Sequence, residues 1–163
     1  MKKLILLRHA SAASGAASGR DFDRPLDQNG RTAARTMGTR MKQGEVRVEL
    51  GLASPAARVA ETLKELGEGL GALPETQQDE RIYLASAETL LDLIRETDDN
   101  IGSLLLVGHN PGLQNLLATL TGDTSSFAFP TAGVAEIDLP VDRWADLQPG
   151  TGLLYRFMRA DEE

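Results

Sequence analysis

Two histidines and two arginines of this chain stand where side chains could converge on an anion. Arg8 and His9 close the apolar run Lys3-Leu4-Ile5-Leu6-Leu7, and His109 follows the run Leu104-Leu105-Leu106-Val107-Gly108. Each run reads as a buried strand. If the two strands are parallel neighbours, their carboxyl ends open on one crevice, the place where ligands of open α/β sheets bind. An arginine directly after a hydrophobic run needs an anion or a carboxylate partner. Arg58 falls in the first turns of a helix that Ser54-Pro55 would start, near free backbone N–H groups that also favour an anion. A guanidinium can bind two oxygens of a tetrahedral oxyanion at once, and two of them can neutralise a phosphoryl group. The same guanidiniums disfavour protonation of His9, which keeps its imidazole nucleophilic. Singly, each residue has a plainer reading: an ion pair for Arg8, a solvated side chain for Arg58, a core histidine for His109.

The elements that must position these residues follow from periodicity. Apolar runs of four to eight residues alternate with helical segments, which favours an α/β fold: a three-layer αβα sandwich with a mostly parallel central sheet and one antiparallel strand. The first strand is expected over Lys2–Arg8, followed by a small, polar loop from Ala10 to Arg20 over its end. Asp27 would cap a helix running to Gln43, with Ala33, Met37 and Met41 on one face and Gly44 at its end. A second strand is expected over Val46–Ala53. Ser54-Pro55 then starts a helix with Ala60, Leu63 and Leu66 inward, closed by glycines at 67, 69 and 71. A further helix begins after Ser86, with Leu90, Leu93 and Ile94 buried. Ser103–Gly108 is the clearest central strand. Asn110-Pro111 starts a helix striped by Leu113, Leu116, Leu117 and Leu120 and ended by Gly122. Gly133–Leu139 and Gly152–Met158 read as strands without a long helix between them, so one of them is expected to run antiparallel.

Composition bounds the function. A chain of 163 residues suits a single domain spanning 1–163 and can bury roughly 70% of its unfolded surface. With no cysteine and two histidines, thiolate chemistry is excluded, and no metal site or cofactor is expected. The amino-terminal apolar run is too short for a signal-peptide core or a membrane span, so the expectation is a cytoplasmic protein with no membrane partner. The net charge of −7 argues against nucleic acid as a partner.

Three blocks carry a family resemblance: Leu7-Arg8-His9-Ala10, then Ser54-Pro55-Ala56-Ala57-Arg58-Val59-Ala60-Glu61-Thr62, then Val107-Gly108-His109-Asn110-Pro111. In this order they resemble the signature blocks of the histidine phosphatase superfamily, which is phosphoglycerate mutase-like in fold. Short length, Arg24-Pro25-Leu26 before Asn29-Gly30, and the Gly-His-Asn-Pro block make the chain most similar to bacterial SixA-type phosphohistidine phosphatases. The resemblance implies that His9 attacks phosphorus and forms a phosphohistidine intermediate. Arg8, Arg58 and a protonated His109 would hold the phosphoryl oxygens. Arg24 would line the rim, and Glu80, in the block Asp79-Glu80-Arg81-Ile82-Tyr83, stands where larger members place a general acid. The implied substrate is phosphohistidine on a partner protein, a phosphotransfer or phosphocarrier domain, with inorganic phosphate as product. A small phosphate ester, cleaved with Glu80 as acid, is the alternative, and a phosphoprotein-binding module without catalysis is a third reading.

Overall fold

A computed structural model describes residues 1–123 and 128–161. Strands β1 (Lys2–Arg8), β2 (Leu50–Ala53), β3 (Glu75–Gln78), β4 (Ser103–Gly108), β5 (Val134–Leu139) and β6 (Leu153–Met158) form one sheet in the order β3-β2-β4-β1-β5-β6. Strands β1 to β4 run parallel, β5 runs against β1, and β6 runs against β5. So β5 alone of these six opposes the rest. The expected mixed sheet, with its one reversed strand, is the one observed.

Strands β1 and β4 sit at the centre because they are apolar on both faces, as strands covered by helices on both sides must be. Leu4, Leu6, Leu104 and Leu106 pack on one face against α3 (Ala87–Arg95) and α4 (Gly112–Thr121). Ile5, Leu7, Leu105 and Val107 pack on the other against α1 (Gln28–Gln43) and α2 (Ala57–Leu70), through Met37, Met41, Val59, Leu63 and Leu66. That alternation is the period-two rule of a strand, and it makes the three layers. In register, Arg8 lies beside Gly108, so the next residue on each strand is a histidine.

Several boundaries differ from the sequence reading. Strand β2 starts at Leu50, not Val46: the backbone after α1 is still tied back, with Val46 N–H donating to Met41 O at 2.9 Å. Helix α2 starts at Ala57, and its N-cap residue Ala56 has no capping side chain; Ser54 is turned elsewhere, as described below. Ala60 is exposed, and Val59 and Thr62 take the inward positions beside Leu63 and Leu66. On α1, Ala34 rather than Ala33 is buried. Gly67 and Gly69 lie inside α2, which Gly71 ends. Gly69 is there because α1 passes so close: a Cβ on it would stand 2.0 Å from Arg35 O. Strand β3 was not foreseen. Its sequence, Glu-Thr-Gln-Gln, is mostly exposed at the sheet edge, so burial leaves no apolar imprint on it. The caps Asp27, accepting from Gly30 N–H, and Ser86, accepting from Thr89 N–H, are as expected.

Candidate active site

The carboxyl ends of β1 and β4 bring the two imidazoles together, with ring centroids 5.3 Å apart. His9 N–H donates to Gly108 O at 3.2 Å, and Ala132 N–H donates to both Arg8 O and His9 O at 3.1 Å. The end of β4 and the turn before β5 therefore fix the backbone of Arg8 and His9 from both sides. Behind it, Thr62 Oγ1 accepts from Ala10 N–H at 3.0 Å and donates to Arg58 O at 2.6 Å. One hydroxyl on α2 thus ties the loop after β1 to the residue that carries the second guanidinium.

The nitrogen roles of His9 follow from its partners. Its Nδ1 lies 2.8 Å from Ala10 O; a carbonyl only accepts, so Nδ1 carries the proton and Nε2 keeps a lone pair. The ring is neutral. Burial lowers its pKa from 6.5 to about 4, and the guanidiniums of Arg58, Arg8 and Arg24 push in the same direction, against the Ala10 hydrogen bond.

His109 is held differently. Arg58 Nη2 donates to its Nδ1 at 3.2 Å, so its Nε2 carries the proton and donates to Ser54 Oγ at 2.7 Å. Burial, and then the charge of Arg58, lower its pKa to about 3. This corrects the expectation of a protonated His109: an imidazole that accepts from a guanidinium cannot also carry a second proton. The positive charge of the site belongs to its arginines. The same contact explains Ser54, whose hydroxyl receives the histidine N–H and, more weakly, Ala56 N–H at 3.3 Å, ahead of the first turn of α2.

Arg8 donates from Nη1 to Phe129 O at 3.0 Å, an oxygen that also accepts from Asn110 Nδ2 at 3.0 Å. Burial lowers the Arg8 pKa. Arg58 is 2% exposed. The Nε–H groups of Arg8 and Arg58 are both buried and have no hydrogen-bond partner. Orphaned buried donors are rare and costly. Two of them lie on the guanidiniums whose charges act on an unprotonated imidazole.

Two site residues were missed by the sequence reading. Asp21, in the short turn Asp21–Asp23 after the loop, accepts at Oδ2 from Arg58 Nη2 (3.1 Å) and Tyr83 Oη (2.5 Å), and at Oδ1 from Arg24 Nε (2.9 Å). Its backbone oxygen takes Arg58 Nη1 at 2.9 Å. These donors, Tyr83 first and then Arg24 and Arg58, lower its pKa to about 2, so it is a carboxylate at any ordinary pH. Tyr83 also presents its ring edge-on to His109, with centroids 5.4 Å apart. The only sequence signal for Asp21 was its spacing of three from Arg24. Arg24 itself is drawn in, donating to Asp21 and to Ala13 O. Glu80 is not: its side chain is exposed and contacts none of these residues. Among the described residues, no three His, Asp or Glu side chains are grouped to hold a metal ion, and no helix is long and apolar enough to cross a membrane.

Parallel strand ends that gather two imidazoles and three guanidiniums have the charge and donor set that suits a phosphoryl-type oxyanion. A family model described as histidine phosphatase superfamily (branch 1) matches residues 4–83. The chain is 32% identical over 143 residues to the phosphohistidine phosphatase SixA of Escherichia coli, covering 84% of this chain and 85% of that one. It is 33% identical over 162 residues to an uncharacterized protein of Mycobacterium tuberculosis, covering 93% and 98%. The solved structure of the protein histidine phosphatase SixA complexed with tungstate superposes with a TM-score of 0.82 at 26% identity, covering 97% of each chain. A mycobacterial glucosyl-3-phosphoglycerate phosphatase shares the fold, with a TM-score of 0.70 at 16% identity over 96% of this chain and 98% of that one. The chain belongs to the histidine phosphatase superfamily, and its likeness is to the SixA-type members.

Proposed function

We propose that this protein hydrolyses phosphohistidine on a partner protein, through a phosphohistidine intermediate on His9. The observation that carries the reading is the neutral His9 imidazole, set beside that of His109 and within the field of the Arg8, Arg24 and Arg58 guanidiniums. His9 Nε2 attacks phosphorus as the bond from phosphorus to the departing nitrogen breaks, and that nitrogen takes a proton from solvent. Arg8 and Arg58 donate to the phosphoryl oxygens where charge builds, so the stabilisation is already oriented. His109, neutral, accepts from Arg58 Nη2 and gives its own N–H to Ser54, and so holds the Arg58 guanidinium in place. Because Nδ1 of His9 keeps its proton on Ala10 O, the phosphorylated ring is cationic and a good leaving group. Water then attacks phosphorus, inorganic phosphate departs, and neutral His9 is restored.

The leaving group argues for the substrate. An alkoxide needs a carboxylic acid to protonate it, yet Asp21 is held ionised and Glu80 is solvent-exposed. An imidazole leaves without such help. The name of the E. coli relative, phosphohistidine phosphatase SixA, agrees with that choice, and tungstate bound to a SixA structure is an anion of the geometry these donors suit. Phosphotransfer and phosphocarrier domains are the expected partners.

The test is to offer a phosphohistidine-bearing carrier protein labelled on its phosphorus. Label is expected on the wild-type protein in acid-labile form, with release of inorganic phosphate, and none on His9→Ala. Label that persists on His9→Ala, or an unlabelled wild type that nonetheless releases phosphate, removes His9 as the nucleophile.

A further inference from the structure

The carboxylate of Asp21 is engaged by the same cations that would bind substrate. It takes Arg58 Nη2 and Tyr83 Oη on one oxygen and Arg24 Nε on the other, while its own backbone oxygen takes Arg58 Nη1. Arg58 Nη2 is thus shared between Asp21 and His109, and Nη1 holds the backbone oxygen of Asp21. The charges can be counted. Arg8, Arg24 and Arg58 contribute three positive charges, Asp21 one negative, and both imidazoles are neutral. The net of two positive charges equals what one phosphoryl dianion brings. A second anionic group beside the phosphoryl would find the sides of Arg58 and Arg24 occupied and a like charge facing it.

We propose that Asp21 is a specificity-determining residue, which fits the site to a phosphoryl group on an uncharged carrier and disfavours phosphorylated small molecules with a carboxylate next to the phosphoryl. An imidazole ring brings no second anion. A phosphorylated hydroxy acid does, and would have to displace Asp21 from two guanidiniums and a phenol or sit against it. Like charges set close together in a partly desolvated site discriminate by repulsion, which is how specificity is often built. Tyr83 acts through Asp21: its hydroxyl fixes the carboxylate on Arg58, and its ring packs on Phe22, centroids 5.2 Å apart, next in sequence to Asp21. The inference rests on the phosphatase reading for its biological meaning, but the binding preference it states can be measured without turnover.

The experiment uses two non-hydrolysable probes at mildly alkaline pH: methylphosphonate, a phosphoryl mimic alone, and phosphonoacetate, the same group with a carboxylate. Calorimetric titration of wild type is expected to give about tenfold tighter binding of methylphosphonate, a factor on the scale of one partly screened like-charge contact. Asp21→Asn keeps the shape and removes the charge, and is expected to narrow that ratio to within about twofold; Asp21→Ser serves if the Asn variant does not fold. Tyr83→Phe, which keeps the charge, is expected to preserve most of the preference. Equal change in both affinities on Asp21→Asn, with the ratio intact, would reduce Asp21 to a bracket for Arg58 and Arg24 and overturn the proposal. So would a wild type without the preference. Failure to label His9 would instead count against the proposed reaction and leave the measured ratio standing.

Discussion

What its neighbours do to its proton suits His9 to the nucleophile's role proposed for it. Burial and three guanidiniums push its pKa to about 4, so protonation competes with phosphorus only in acid. The rate of label transfer to His9 is accordingly expected to hold level from neutral pH down to about 5 and to fall only near 4, measured by quenched-flow labelling; a fall centred at 6.5 would mean an unperturbed imidazole. Arg58→Lys, which keeps charge but loses the side-on Nε–H, the donor to His109 and both contacts to Asp21, is expected to lower that rate by about 10²-fold or more. Glu80→Gln is expected to leave it within about twofold, since that carboxyl touches nothing in the site. Arg8, His9, Arg58 and His109 were legible in the sequence because each stands at an element boundary, where a polar residue interrupts an apolar pattern. Asp21 and Tyr83 were not, because their roles exist only once the loop after β1 is folded across α2. Before that, Asp21 is one acid in a polar stretch, and Tyr83 only closes the block that draws attention to Glu80, three positions earlier.

The elements hold the site by close approach of backbone. Helix α1 begins under the loop after β1: Asp27 Oδ2 accepts from Ser11 Oγ at 2.7 Å, Asp27 N–H donates to Ser11 O at 3.1 Å, and a Cβ on Gly30 would lie 2.0 Å from that oxygen. Backbone cannot yield as a side-chain tip can. Gly30→Val is therefore expected to force α1 and the loop apart, at a cost of about 1–3 kcal/mol in urea denaturation, and to slow label transfer to His9 in the fraction that remains folded. Strands β1 and β4 were readable to the residue because helices on both faces require an unbroken apolar run. The edge strand β3 was invisible for the opposite reason. The start of α2 was misread because Ser54-Pro55 satisfies a rule for local capping, while tertiary structure gave the serine hydroxyl a stronger claim, the N–H of His109.

At the scale of the whole molecule, the site works against the fold in acid. Both imidazoles titrate near the ordinary value of 6.5 when unfolded, but at about 4 for His9 and about 3 for His109 when folded. Between those limits the unfolded chain binds more protons than the native one, so stability rises with pH there and is lost as pH falls from about 6.5 toward 4. Each histidine adds at most about 1.4 kcal/mol per pH unit to that slope. The lowered pKa of Asp21, about 2 against an ordinary 3.8, acts lower, with stability present above 3.8 and lost as pH falls through 2, and overlaps the His109 range between about 3 and 3.8. Above pH 4 the imidazoles act without it. In urea denaturation at a series of pH values, the wild-type midpoint is expected to drop steadily from pH 6.5 to 4.5, and the drop should shrink in the variant with both His9→Gln and His109→Gln. Equal slopes for the two proteins would mean that the imidazoles take up protons in the native state as freely as in the unfolded one, and that the neutral ring on which His9 attack depends is not what the fold maintains.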